Sequence, residues 1–271
     1  IEIAFKDGFP ALFTAYGNSI KKYHWLHTDY SMYDCTAKYR KTFRKTYPYF
    51  DKIIGISHAV VNNFQEKYPG TNCTVIYNMI DADKIRDKSL EKDVNFTEKL
   101  NLISVGRIHN MKGYDRLVDV FAKLEQGHKL SDVKLRIIGS GPDLELVKSK
   151  IEAYGLQNKI ELLGAMKNPF PYVKASDAFL MCSRYEPFGL VVLEAMILKT
   201  PVISTDVASI SEIMDKKYGM IVPNDEEGLY EGICKIIENP KLLKNYREQL
   251  SNYHYDIQEI INQIEILLTI N

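Results

Sequence analysis

The chain has no charge of one sign to spare. Over 271 residues, 35 lysines and arginines are matched by 35 aspartates and glutamates, so nothing electrostatic points to a nucleic-acid partner. No apolar run approaches the roughly 20 residues that a membrane-spanning helix needs. Cysteine is scarce and scattered. Cys35, Cys73, Cys182 and Cys234 form neither a C-x-x-C pair nor a dense framework, which argues against structural zinc and a disulfide scaffold and for a reducing compartment. Repeats and low-complexity tracts are missing, and there is a single tryptophan, Trp25. The sequence opens at Ile1 with neither an initiator methionine nor a signal peptide, so a fragment is expected. What remains, 45% hydrophobic and 26% charged residues, is ordinary globular usage and fits about two domains.

From Leu100 onward, short apolar runs rich in β-branched residues alternate with helical patterns. The runs are Leu100–Val105, Val133–Ile138, Lys159–Leu163, Ala178–Cys182, Pro201–Ser204 and Met220–Val222. Each is too short for a buried helix and is bounded by Gly, Pro, Ser or Asp, which predicts buried parallel strands. Helices are expected between them at Gly113–Leu124, Leu144–Tyr154, Leu190–Leu198 and Glu226–Ile237. Such alternation predicts an α/β fold with a doubly wound parallel sheet, whose ligands sit beyond the carboxyl ends of the strands. The first hundred residues read as an incomplete copy of the same architecture, with strands at Ile1–Phe5, Tyr23–Leu26, Lys52–Ile56 and Thr74–Tyr77. The expected organisation is a partial first domain over 1–83, a charged linker over 84–99, a second domain over 100–252, and a terminal helical segment over 253–271 that packs back on the first.

The stretch from Cys182 to Met196, Cys-Ser-Arg-Tyr-Glu-Pro-Phe-Gly-Leu-Val-Val-Leu-Glu-Ala-Met, carries the most chemistry. A strand ends, a loop carries Glu186, and Gly189 opens a helix whose free N–H groups at Gly189, Leu190 and Val191 suit an anion. Glu194 follows on an otherwise apolar helix, where a carboxylate is costly unless it accepts hydrogen bonds, for instance from hydroxyls. On spacing alone, Glu186 and Glu194 read equally as a loop acid and a helix-surface acid. A second anion site is expected after the first strand of the second domain, in Gly106-Arg107-Ile-His-Asn-Met-Lys112-Gly113. An arginine fork and a mobile lysine at one strand edge suit two adjacent phosphates, against the plain alternative of solvated cations.

Other features are weaker. Gly139-Ser-Gly-Pro142 lacks the third glycine of the dinucleotide fingerprint and reads as a tight turn with a helix-starting proline. Asp81-Ala-Asp83 has no third ligand and reads as a helix cap, so no metal site is expected. Lys38, Arg40, Lys41, Arg44 and Lys45, interleaved with Tyr39, Phe43 and Tyr47, read as a solvated helix face or, alternatively, as a contact to anionic lipid. His27 ends a strand near Trp25, a place where a histidine is more often structural than chemical.

Taken together, these motifs make the chain resemble the retaining GT-B glycosyltransferases of the group 1 superfamily, which includes glycogen synthase and sucrose synthase. The resemblance rests on Glu186 and Glu194 within Glu-Pro-Phe-Gly-Leu-Val-Val-Leu-Glu-Ala-Met, on Thr200-Pro-Val-Ile-Ser204, and on Gly106-Arg107 with Lys112-Gly113. It implies two Rossmann-like domains, the first incomplete because the chain is N-terminally truncated. It implies transfer of a hexose from a nucleotide sugar, a UDP-sugar by family frequency, to a glycan, glycolipid or surface-polysaccharide acceptor, without a metal or other cofactor. Arg107 and Lys112 would bind the diphosphate, and the amides of Gly189–Val191, beside Phe188, its distal phosphate. Glu194 would hold the ribose, Glu186 the transferred sugar, and the backbone at Met166 would read the base. His27 matches the histidine at the reacting centre, while Ser57 and Asn78 match further landmarks, with Met79 in place of the common glycine. A cytoplasmic location, with contact to the inner membrane face, goes with this reading. The alternative, a non-catalytic partner subunit that binds sugar nucleotide, is disfavoured by the presence of Glu186, Glu194, Arg107 and Lys112 together.

Overall fold

The computed structural model describes residues 1–31 and 37–269. Cys35 and Ile270 lie outside the described residues. The chain divides into two compact units, one of Ile1–Ile80, Glu186–Phe188 and Asp256–Asn271, the other of Asp81–Tyr185 and Gly189–Tyr255.

The first unit holds four parallel strands side by side in chain order, β1 (Glu2–Ala4), β2 (Lys22–Leu26), β3 (Lys52–Gly55) and β4 (Cys73–Val75). Helices α1 (Phe9–Ala15), α2 (Arg40–Thr46) and α3 (His58–Lys67) connect them in turn. Pro10 sits in the first turn of α1, where its missing N–H costs nothing. Ser57 starts α3 by accepting the Val60 N–H at 3.1 Å, an N-cap worth about 1 kcal/mol. The basic-aromatic run splits on folding. Its five cations are exposed, whereas Phe43 and Tyr47 turn inward, Tyr47 packing edge-on to Phe64 and Tyr68 with centroids 4.9 and 4.6 Å away. The helix Ile257–Thr269 belongs to this unit. It buries Ile260 and Leu267, and the Tyr23 hydroxyl donates to the Leu267 carbonyl at 2.8 Å.

The second unit opens with α4 (Ala82–Lys88) and continues as β5 (Leu100–Val105), α5 (Tyr114–Gln126), β6 (Val133–Ile138), α6 (Leu144–Ala153), β7 (Ile160–Gly164), α7 (Phe170–Ala175), β8 (Ala178–Met181), α8 (Leu190–Ile197), β9 (Val202–Thr205), α9 (Ile210–Ile213), β10 (Gly219–Val222), α10 (Glu226–Glu238) and α11 (Lys241–Ser251). Its six strands are all parallel, in the order β10-β9-β8-β5-β6-β7. The stretch over 84–99 has more structure than a linker reading expects. Asp81 caps α4 by accepting the Lys84 N–H at 2.9 Å, and the Asn168 amide donates to the Lys88 carbonyl and the Glu91 carboxylate, both at 2.8 Å.

The core forms where the apolar faces of α5 (Leu117, Phe121, Leu124) and α10 (Leu229, Ile233, Ile236) meet strands buried on both sides. Each such side chain, fully removed from water, contributes about 1.5–3 kcal/mol. Both sheets are parallel, as the strand–helix alternation predicts. Strand β5 lies between β6 and β8, so the chain turns from building one half of the second sheet to building the other at this seam. That position of β5 is the topological switch point of a doubly wound sheet, the edge at which such folds bind ligands. No helix among the described residues is long and apolar enough to cross a membrane.

Candidate functional site

The loop after β5 is built by close backbone approach. Gly106 N–H donates to the Ile138 carbonyl at 3.0 Å and Ile108 N–H to the Ser140 carbonyl at 2.9 Å, so the loops after β5 and β6 run against each other. This contact needs glycine twice. A Cβ on Gly139, whose φ is +156°, would fall 1.9 Å from the Gly106 carbonyl oxygen, and one on Gly141 would fall 2.0 Å from that of Ile108. An open pocket of ≈ 700 Å³ lies above these loops, lined among others by Gly106, Arg107, Gly139, Ser140, Pro142 and Met166. Three residues marked from sequence, Gly106, Arg107 and Met166, therefore share one cavity. The 139–142 turn, which reads from sequence as a connection only, supplies much of the wall. Pro142 also does not open the helix; α6 begins at Leu144 after Asp143.

Arg107 is exposed at the mouth of this turn, and Lys112 ends a single 3-10 turn, Asn110–Lys112, that His109 starts by accepting the Met111 N–H at its ring nitrogen Nδ1. Lys112, Glu194 and Gly189–Val191 stand outside the pocket lining, though in the same unit. Gly189 adopts the left-handed conformation, φ +91°, and begins α8, leaving the amides of its first turn without intrahelical acceptors. Glu194 is half-buried on α8 between the buried Leu193 and Ala195. Desolvation alone pushes its pKa up to about 7 from 4.5.

The remaining marked residues belong to the first unit. The Phe188 ring lies 6.0 Å from that of Tyr77. His27 follows β2 with one side open to solvent and its ring 6.3 Å from Phe5, which in turn stacks on Trp25. Desolvation lowers the His27 pKa, and the charge of Asp7 opposes that shift. Asp7 accepts the Thr28 hydroxyl at 2.7 Å and the Tyr30 hydroxyl at 3.1 Å, while burial raises its own pKa. His24, not marked from sequence, is fully buried with Nε2 3.6 Å from Asp7 Oδ1 and, among the described residues, no hydrogen bond to either ring nitrogen. Burial lowers its pKa to about 3, so the ring stays neutral. Its place among Tyr23, Trp25 and Leu26, on a strand buried on both faces, is the signal that marks it as interior. Among the described residues, no group of three or more His, Cys, Asp or Glu is disposed to hold a metal ion.

The sequence profile of the glycosyl transferases group 1 family matches residues 85–255, a span that contains the pocket, α8 and Glu194. The chain belongs to the glycosyl transferases group 1 family. It is 29% identical over 208 residues to the N-acetylgalactosamine-N,N'-diacetylbacillosaminyl-diphospho-undecaprenol 4-alpha-N-acetylgalactosaminyltransferase of Campylobacter jejuni, covering 75% of this chain and 55% of that protein. It is 25% identical over 264 residues to the N-acetyl-alpha-D-glucosaminyl L-malate synthase of Bacillus anthracis, covering 93% of this chain and 68% of that one. The fold matches S. aureus TarM, solved with UDP and alpha-GlcNAc-glycerol, at a TM-score of 0.78 and 20% identity, over 97% of this chain and 53% of TarM. The fold is thus of the GT-B type, and the chain spans about half the length of several proteins it matches.

Proposed function

We propose that this glycosyl transferases group 1 chain moves a hexose from a UDP-sugar to a glycan, glycolipid or surface-polysaccharide acceptor, with retention of configuration and without a metal ion. The observation that carries the reading is the pocket that unites Gly106, Arg107 and Met166 at the carboxyl ends of β5, β6 and β7. Further support comes from Glu194, a half-buried carboxyl whose pKa desolvation raises to about 7, and from the UDP bound in the TarM structure.

In this reading Arg107 and Lys112 hold the diphosphate and the amides of Gly189–Val191, beside Phe188, hold its distal phosphate. Glu194 accepts the ribose hydroxyls, Glu186 those of the sugar, and the backbone near Met166 meets the base. The acceptor oxygen bonds to the anomeric carbon on the face the diphosphate leaves. The electron pair of the broken C–O bond goes to the diphosphate, and the acceptor's proton follows to a phosphate oxygen. Cations and amides fixed around the growing negative charge lower the barrier of such a reaction more than any other single effect. His27 contacts the sugar at the reacting centre.

The same proposal assigns the enzyme to the cytoplasm, peripheral on the inner face of the membrane. The exposed cations Lys38, Arg40, Lys41 and Arg44 line a cavity of ≈ 480 Å³, and Phe9, Phe13 and Tyr39 are exposed in the same unit. The name of the C. jejuni relative includes a diphospho-undecaprenol, and an acceptor carried on such a lipid would be met at this surface.

The test is calorimetric titration with UDP, GDP and ADP, with and without EDTA, repeated on Arg107→Ala/Lys112→Ala. Two charge-assisted contacts at about 1.5–3 kcal/mol each put the expected loss at roughly 100-fold or more. Binding of UDP that survives EDTA and disappears in the double variant supports the reading; UDP affinity unchanged by the double variant refutes it.

A further inference from the structure

Behind the turn that carries Arg107 and Lys112 lies a hydrogen-bonded cage, none of whose side chains lines the pocket. Asp115, in the first turn of α5, and Arg184, in the loop after β8, meet fork to fork: Arg184 Nη1 lies 2.6 Å from Asp115 Oδ1 and Nη2 2.8 Å from Oδ2. Arg184 Nη1 also donates to the Asn110 carbonyl at 2.8 Å, and the Arg184 and Tyr185 amides both donate to the Met111 carbonyl, at 2.8 and 3.2 Å.

Arg116, the next residue on α5, is only 4% exposed. It donates from Nε and Nη2 to the Cys182 carbonyl, at 3.1 and 2.8 Å, and from Nη2 to Asn224 Oδ1 at 2.7 Å. The Asn224 amide returns to the Arg184 carbonyl at 3.1 Å. The Cys182 thiol donates to the Lys112 carbonyl at 3.1 Å, and its pKa, pushed up to about 12 by burial, keeps that proton in place at neutral pH. At Gly113, φ +70°, a Cβ would fall 2.1 Å from the Cys182 carbonyl oxygen.

A solvated ion pair needs none of this. Here the Arg116 guanidinium is committed chiefly to the Cys182 carbonyl and Asn224, and that of Arg184 to the Asp115 carboxylate and the Asn110 carbonyl. Of the two, Arg116 is buried and Arg184 partly exposed; a buried charge is tolerated only when its donors are filled, so Arg116 fixes one arrangement and the forked Asp115–Arg184 pair braces it. The two loops it joins are those at the sheet's switch point, one carrying Arg107 and Lys112, the other leading to the first turn of α8.

We propose that Asp115, Arg116 and Arg184 are positioning residues, which hold the Gly106–Gly113 turn and the loop after β8 at one fixed separation so that the diphosphate donors stand in place before the nucleotide arrives. This rests on the nucleotide-sugar reading above. Supporting residues of this kind typically matter about 10–100-fold to the ligand they never touch, as they do at metal sites.

The experiment compares the parent chain with Asp115→Asn, Arg184→Lys and the conservative Asp115→Glu. UDP affinity is measured by calorimetry, and hydrogen exchange is followed in peptides covering 106–113, 182–189 and, as reference, 133–138. The first two variants are expected to bind UDP about tenfold more weakly and to exchange faster in both loops, with 133–138 unchanged and Asp115→Glu restoring most of the affinity. Affinity within about twofold of the parent, or exchange that rises equally in all three peptides, overturns the inference while leaving the nucleotide reading intact. A parent chain that binds no UDP overturns both.

Discussion

Gly139 stands so close to Gly106 that a single added methyl group would lie 1.9 Å from the Gly106 carbonyl oxygen. The Gly139 amide is already committed to the Gly164 carbonyl at 2.9 Å, which ties the loops after β5, β6 and β7 into one wall. Neither backbone can retreat without breaking a ladder end.

Gly139→Ala is therefore expected to cost about 1–3 kcal/mol for the strained backbone, and more for displacement of the Gly106 turn. Thermal unfolding measures the first and nucleotide titration the second. A variant with parental melting temperature and parental UDP affinity contradicts the close-approach account.

Glu194 gives a pH dependence. The unfolded chain ionises this carboxyl near 4.5 and the folded chain near 7, so between those values the folded state holds the extra proton. Stability contributed by the protonated form is complete below about 4.5 and is lost as pH rises through about 7. Glu194→Gln, which cannot ionise, should thus be more stable than the parent at about pH 8 and equal to it at about pH 4 in denaturant titrations. Equal stability at both pH values would show that the carboxyl is better solvated than its burial implies.

The basic face of the first unit gives a third outcome. Each cation near an anionic bilayer contributes about 1 kcal/mol, so Lys41→Glu/Arg44→Glu/Lys45→Glu should lose well over tenfold in co-sedimentation with phosphatidylglycerol vesicles. Neutral phosphatidylcholine vesicles and high salt should mimic the loss. Equal binding of parent and variant to both vesicle types removes the membrane from the proposal.

Much of the second unit was legible because its strands are short runs rich in Leu, Ile and Val, and the first two are stopped by glycine. Leu100–Val105 and Val133–Ile138 stand in the structure with the boundaries their sequence predicts. The segment after Asp81 was harder, since α4 is short and charged and is fastened by Asn168, a partner 80 residues away in sequence. The aromatic residues of the basic run were legible as a cluster but not in direction: Phe43 and Tyr47 face a core built from Phe64 and Tyr68, which lie further along the chain. At the candidate site, charged and amide-bearing residues announced themselves by type, whereas Gly139 and Gly141 did not. What makes them necessary is the nearness of another loop's carbonyls, and no local spacing encodes that.

The order of strands has a consequence for how the protein is made. Ser104 on β5 donates its hydroxyl to the Leu180 carbonyl on β8, 76 residues later at 2.7 Å. A growing chain that has emerged only as far as β7 can close the pocket wall, since β5, β6 and β7 are neighbours. The other flank of β5 stays bare until β8 is synthesised, and with it the loop that leads to α8. Long-range parallel pairing of this sort is slow and leaves an edge open to wrong partners. Truncations that stop short of β8 are thus expected to be less soluble than the whole unit.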